Sequence, residues 1–72
     1  MKTTVILVPV FNEEENIDQF CKQILRINLT DNSQIEVLFI DDGSEDKTWD
    51  LIKKNNHKNE IFNGLKLVKN FG

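Results

Sequence analysis

The sequence is short of the residues that build a disulfide scaffold, a linker or a membrane span. Cysteine occurs once, at Cys21, with no CxxC or Cys/His cluster around it. That excludes an internal disulfide and fits a reducing compartment. Cys21 falls on an apolar helical stripe and reads as a core residue rather than a nucleophile. One proline and three glycines leave no Pro/Gly/Ser-rich linker, and no repeat or low-complexity tract marks a domain boundary. No stretch approaches the roughly 20 apolar residues of a membrane span. The run from Thr4 to Phe11 is short, contains Pro9 and passes directly into Asn12-Glu13-Glu14-Glu15, so it reads as a strand and not an export signal. A basic excess is missing too. Nine Lys and Arg against twelve Asp and Glu give a net charge of -3, so nothing points to nucleic acid or an anionic membrane surface as a partner. The expectation is one small acidic, cytoplasmic domain, which at this size buries only roughly 60% of its unfolded surface.

What is present is organised around Glu36-Val37-Leu38-Phe39-Ile40-Asp41-Asp42-Gly43-Ser44. Consecutive apolar residues without alternation predict a strand buried on both faces, as in a parallel sheet covered by helices. A second such run, Thr4 to Val8, is closed by Pro9, and a third spans Leu65 to Val68 after an Asn63-Gly64 turn signal. Asn12 and Glu15 have the spacing of a capping pair, predicting a helix from about Asn12. Its stripe Ile17, Phe20, Cys21, Ile24 and Leu25 would face the sheet, with Asp18, Gln19, Lys22 and Gln23 in water. Asn28 to Gln34 reads as a loop. Ser44 or Asp46 is placed to cap a second helix carrying Trp49, Leu51 and Ile52, which fades over Lys53 to Asn59 and leaves His57 in a solvated stretch. Strand, helix, strand, helix, strand with right-handed crossovers predicts an α/β fold: a βαβαβ half of a doubly wound, Rossmann-like parallel sheet with strand order 3-2-1.

In such sheets ligands bind at the carboxyl ends of the strands. A dinucleotide site wants a glycine-rich first turn there. This turn, Pro9 to Glu15, has no glycine and three carboxylates, which disfavours a Rossmann oxidoreductase. It offers an aromatic wall, Phe11, and an acceptor, Glu13; Asp41 and Asp42 at the neighbouring tip add acceptors for the N–H and O–H groups of a base and ribose. The bland readings are a charge-favoured helical turn for the Glu triplet and a turn with a cap for Asp41 to Ser44. Side by side at adjacent tips, the two segments favour a site.

Three segments then match a family. Val8-Pro9-Val10-Phe11-Asn12-Glu13-Glu14-Glu15-Asn16-Ile17, Ile40-Asp41-Asp42-Gly43-Ser44-Glu45-Asp46-Lys47-Thr48 and Lys69-Asn70-Phe71-Gly72 resemble the N-terminal part of family-two glycosyltransferases of the GT-A fold, closest to dolichyl- and polyprenyl-phosphate sugar synthases. The resemblance implies an inverting transfer of sugar from a UDP- or GDP-sugar to an acceptor such as a polyprenyl phosphate, with Mg²⁺ or Mn²⁺ stabilising the leaving diphosphate, in a parent at the cytoplasmic face of a membrane. It implies that Pro9, Phe11 and Glu13 line the nucleoside pocket, that Asp42 contacts base or ribose, that Asp41 braces the loop, and that Lys69 stands where the family usually has an arginine near phosphate. Phe11 replaces the family's more usual tyrosine. The family's Asp-x-Asp metal motif and catalytic base lie further along than Gly72, so the expectation is a truncated domain, inactive alone, with an open first-strand edge prone to self-association. Two other readings stand beside it. A response-regulator receiver would place its acidic pair after the first strand and its phosphorylated aspartate after the third. A non-catalytic module would use the open edge to recruit another chain.

Overall fold

The computed structural model describes residues 3–30 and 34–68. Five elements alternate along the chain: β1 (Thr3–Val10), α1 (Ile17–Thr30), β2 (Gln34–Asp41), α2 (Thr48–Lys58) and β3 (Phe62–Lys66). All strand pairs are parallel and β2 lies between β1 and β3, which is the expected 3-2-1 order. Val37 and Phe39 of β2 are fully buried under Ile17, Cys21 and Ile24 of α1 and Ile52 of α2. The Phe20 ring meets Phe39 edge-on, with centroids 5.8 Å apart. Each such side chain contributes on the order of 1.5–3 kcal/mol by burial.

Several element boundaries differ from the sequence expectation. β1 runs through Pro9 to Val10. The Val10 carbonyl turns toward β2, accepting from the Asp42 amide at 3.1 Å, so Pro9 faces the open edge, where a missing N–H costs no ladder bond. α1 starts at Ile17, not Asn12. Asn12 sits at φ 52 and forms no capping pair with Glu15; the first helical bond runs from the Phe20 amide to the Asn16 carbonyl at 3.0 Å. α2 does not fade at Lys53 but continues to Lys58, held by asparagines: Asn55 Nδ2 donates to Asp18 Oδ1 of α1 at 2.9 Å, and Asn56 Nδ2 to the Phe62 carbonyl at 2.6 Å. Asp18 is therefore half-buried between helices instead of in water. β3 begins at Phe62 and takes Asn63-Gly64 into the strand. Gly64 is needed for packing, since a Cβ there would stand 2.6 Å from Ile52 Cγ2 and 3.0 Å from Trp49 Cζ3.

The sheet is covered on one face. Val37, Phe39 and Asp41 point into the helical layer, and Leu38 and Ile40 alternate to the other side. Their register partners Leu7 and Leu65 are 60% and 51% exposed. The expectation of strands buried on both faces thus holds for the helical side only, because both crossovers place their helices on the same side of the sheet. The expected loop from Asn28 to Gln34 is shorter at both ends, since α1 runs to Thr30 and β2 starts at Gln34; Asn28, in the last turn of α1, clamps the start of β2 by exchanging two hydrogen bonds with the Ile35 backbone, at 2.8 and 3.0 Å.

Candidate functional site

The carboxyl ends of β1 and β2 deliver two loops side by side, 11–16 and 42–47. Asp41, the last residue of β2, is fully buried. Its Oδ1 accepts from the Ser44 amide at 2.9 Å and the Ser44 hydroxyl at 2.6 Å, folding the loop back over Gly43 at φ 79. Its Oδ2 is buried without a hydrogen-bond partner among the described residues. Through Oδ1, Asp41 braces the loop.

The loops are tied to each other by a run of crossed hydrogen bonds. The amides of Asn12, Glu13 and Glu14 donate to Ser44 Oγ, Thr48 Oγ1 and Asp46 Oδ2 at 2.8, 2.7 and 3.2 Å. In return the Glu45 amide donates to Asn12 Oδ1 at 2.8 Å and the Lys47 amide to Glu14 Oε2 at 3.0 Å. Asp46 Oδ1 also accepts from the Thr48 amide at 2.8 Å and from the Thr48 hydroxyl. The N-cap of α2 is Lys47, without a side-chain cap bond, so neither expected candidate caps the helix: Asp46 sits one residue before the cap and holds Thr48, while Ser44 serves Asp41 and Asn12. Burial works to raise the Asp46 carboxyl, but the Thr48 hydroxyl together with the Thr48, Glu14 and Asp46 amides outweighs it and holds the group below its ordinary value of 3.8.

This arrangement has a chemical consequence. Amides at the turn before a first helix are the groups that receive a pyrophosphate in dinucleotide folds. Here three of them are occupied by the protein's own oxygens, so a diphosphate has no backbone cradle at this turn.

Of the expected site residues, Phe11 is 53% exposed and Asp42 is exposed on the neighbouring loop. Pro9 and Glu13 line a different feature, an open groove of about 170 Å³ between β1 and α1 floored by Val8, Ile17, Phe20 and Phe39. At that size the groove is smaller than the roughly 300–1,000 Å³ of ligand pockets and does not by itself enclose a nucleotide. Glu13 accepts from Asn16 Nδ2 at 2.8 Å. Lys69 lies outside the described residues. The sequence reading missed Asn12, Glu14 and Thr48 as loop ties. Their signal was the density of side-chain acceptors at two tips that parallel pairing must bring together. His57 is exposed in the last turn of α2. Among the described residues no three His, Cys, Asp or Glu side chains are grouped as metal ligands. No helix among them is long and apolar enough to cross a membrane.

The three-stranded parallel sheet with its helices on one face defines an α/β unit whose acidic loops meet at the strand tips, and comparison with known proteins narrows the class: the model of glycosyl transferase family 2 matches residues 5–72, and the chain belongs to that family. It is similar to the glycosyltransferase YkoT of Bacillus subtilis (strain 168), 40% identical over 73 residues covering 93% of this chain and 22% of that protein. It is likewise similar to the prophage bactoprenol glucosyl transferase homolog of Escherichia coli (strain K12) and the bactoprenol glucosyl transferase of Shigella phage SfV, both 36% identical over 67 residues with the same coverage. The chain thus spans about a fifth of the length of these relatives. No solved structure matches.

Proposed function

We propose that this chain is the donor-nucleoside segment of an inverting glycosyltransferase that moves a sugar from a UDP- or GDP-sugar to a polyprenyl phosphate. The observation that carries this reading is the combination of the family match over residues 5–72 with strand tips that present a ring and carboxylates while their turn amides are already occupied. Phe11 offers a face for the base, Asp42 accepts from base N–H or ribose O–H, and Asp41 holds the loop that carries Asp42, while Pro9 and Glu13, which line the adjoining groove between β1 and α1, extend the nucleoside surface on the other side of the first turn. Lys69 is proposed as a phosphate contact. The bactoprenol glucosyl transferases among the relatives support a lipid-phosphate acceptor and hence a place at the cytoplasmic face of a membrane. When bound, Mg²⁺ or Mn²⁺ would neutralise the leaving diphosphate.

Titration calorimetry with uridine and guanosine diphosphates tests the assignment. Asp42→Asn should weaken binding by about 1.5–3 kcal/mol, the scale of a hydrogen bond to a charged group; equal affinities would remove Asp42 from the site. The 72-residue chain should bind weakly, without Mn²⁺ dependence, and should release no sugar from either donor. Micromolar Mn²⁺-dependent binding or any turnover would show that the catalytic apparatus is more complete than this assignment allows.

A further inference from the structure

Phe11 and Asp42 each adjoin a residue or turn that makes the crossed hydrogen bonds, and the Asp42 amide itself donates to the Val10 carbonyl at 3.1 Å, beside Phe11. Phe11 precedes Asn12, whose amide and side chain both engage the second loop. Asp42 precedes the Gly43-Ser44 turn, pinned by Asp41 and by the Asn12 amide. Both loops reverse through left-handed backbone, at Asn12 (φ 52) and Gly43 (φ 79), a conformation that needs surrounding bonds to hold it. One carboxylate joins the parts: Asp46 Oδ2 takes the Glu14 amide, and its Oδ1 takes the amide of the fully buried Thr48. Glu14 closes the circuit through the Lys47 amide.

We propose that Asp46, Glu14 and Thr48 are positioning residues that lock the two strand-tip loops into one body and so preset the separation of Phe11 and Asp42 for a base and ribose. This rests on the nucleoside reading above. A preset edge spares the ligand the ordering of two loops on binding, so loss of the lock weakens nucleotide binding without removing any group that touches the nucleotide.

The test uses the ¹⁵N-labelled chain, following amide exchange and relaxation at residues 11–14 and 42–47 and titrating uridine and guanosine diphosphates while observing the Phe11 and Asp42 amides. Asp46→Ala should loosen both loops together and weaken nucleotide binding about tenfold, the equivalent of one charge-assisted hydrogen bond. Asp46→Asn keeps one acceptor but turns an amide donor toward either the Glu14 amide or the Thr48 donors, so it should recover only part of the loop order and of the affinity. Glu14→Ala, at an exposed position, should move both readouts in the same direction by less, and serves where Asp46→Ala fails to fold. Loosening confined to 45–48, or two loosened loops with unchanged affinity, would overturn the proposal. A wild-type chain whose Phe11 and Asp42 amides ignore both nucleotides would remove the nucleoside reading, and the positioning role with it, while the exchange data would still report whether the loops are locked.

Discussion

Gly64 and Gly43 are glycines for opposite reasons. At Gly64 the space is gone: Ile52 Cγ2 and Trp49 Cζ3 lie 2.6 and 3.0 Å from where a Cβ would stand. Gly64→Ala should push α2 off β3 and cost about 1–3 kcal/mol by overpacking, read as a lower denaturation midpoint in Trp49 emission. At Gly43 nothing lies within 4 Å of such a Cβ, but φ is +79; Gly43→Ala should cost about 1–2 kcal/mol from the left-handed backbone and leave the native Trp49 spectrum unchanged. Asp41→Ala strands a Ser44 amide and hydroxyl, for an expected loss of about 1–3 kcal/mol. Asp46 carries a pH dependence. Its carboxyl is depressed in the fold, so its contribution is complete above the ordinary value of 3.8 and is lost as pH falls through the lower folded value. Acid unfolding followed by circular dichroism should show that loss, and Asp46→Asn should abolish this part of it.

The helices and strands show why part of the architecture is legible in the sequence and part is not. The stripe Ile17, Phe20, Cys21, Ile24 and Leu25 determines which side of α1 is buried whatever else the chain does, and those residues do pack on the core. Three apolar runs separated by helix-length segments likewise admit little besides parallel crossovers. Boundaries depend instead on partners distant in sequence. Asn12 looks like a cap because Glu15 follows it, but Ser44 and Glu45 compete for its polar groups and win. The Asn-rich end of α2 looks solvated until Asp18 and the Phe62 carbonyl are brought beside it. Asn63-Gly64 has the composition of a hairpin turn, and only the nearness of Trp49 reveals its role. For the candidate site, the acidic tips were legible, while the hydrogen bonds crossing between them were not, since they join residues more than thirty positions apart. Cys21 belongs to the legible set. Burial, with Asp18 nearby, pushes its thiol up to about 12, so at pH 8 it should resist a thiol reagent and react only at the rate at which α1 lifts from the sheet.

Among the described residues the molecule is a two-layer unit with one face of its sheet bare. Its accessible surface is 5429 Å² for 8.4 kDa, against about 4,600 Å² expected for a folded monomer of that mass. β1 forms one edge of the sheet and carries no charged residue from Thr3 to Val10, so it lacks the usual guard against edge-to-edge pairing apart from Pro9. Sedimentation of the chain should show mass rising with concentration, and Leu7→Lys, at a side chain 60% exposed, should suppress the rise without lowering the denaturation midpoint. The crossed hydrogen bonds at the strand tips also dictate an order of assembly. The amides of Asn12, Glu13 and Glu14 find their acceptors only at Ser44, Thr48 and Asp46, so a nascent chain that has emerged only as far as Gly43 has no means of closing its first turn. The two strand-tip loops therefore become ordered together, and hydrogen exchange on ribosome-stalled chains should show protection at residues 12–14 appearing with that at 45–48, never before it.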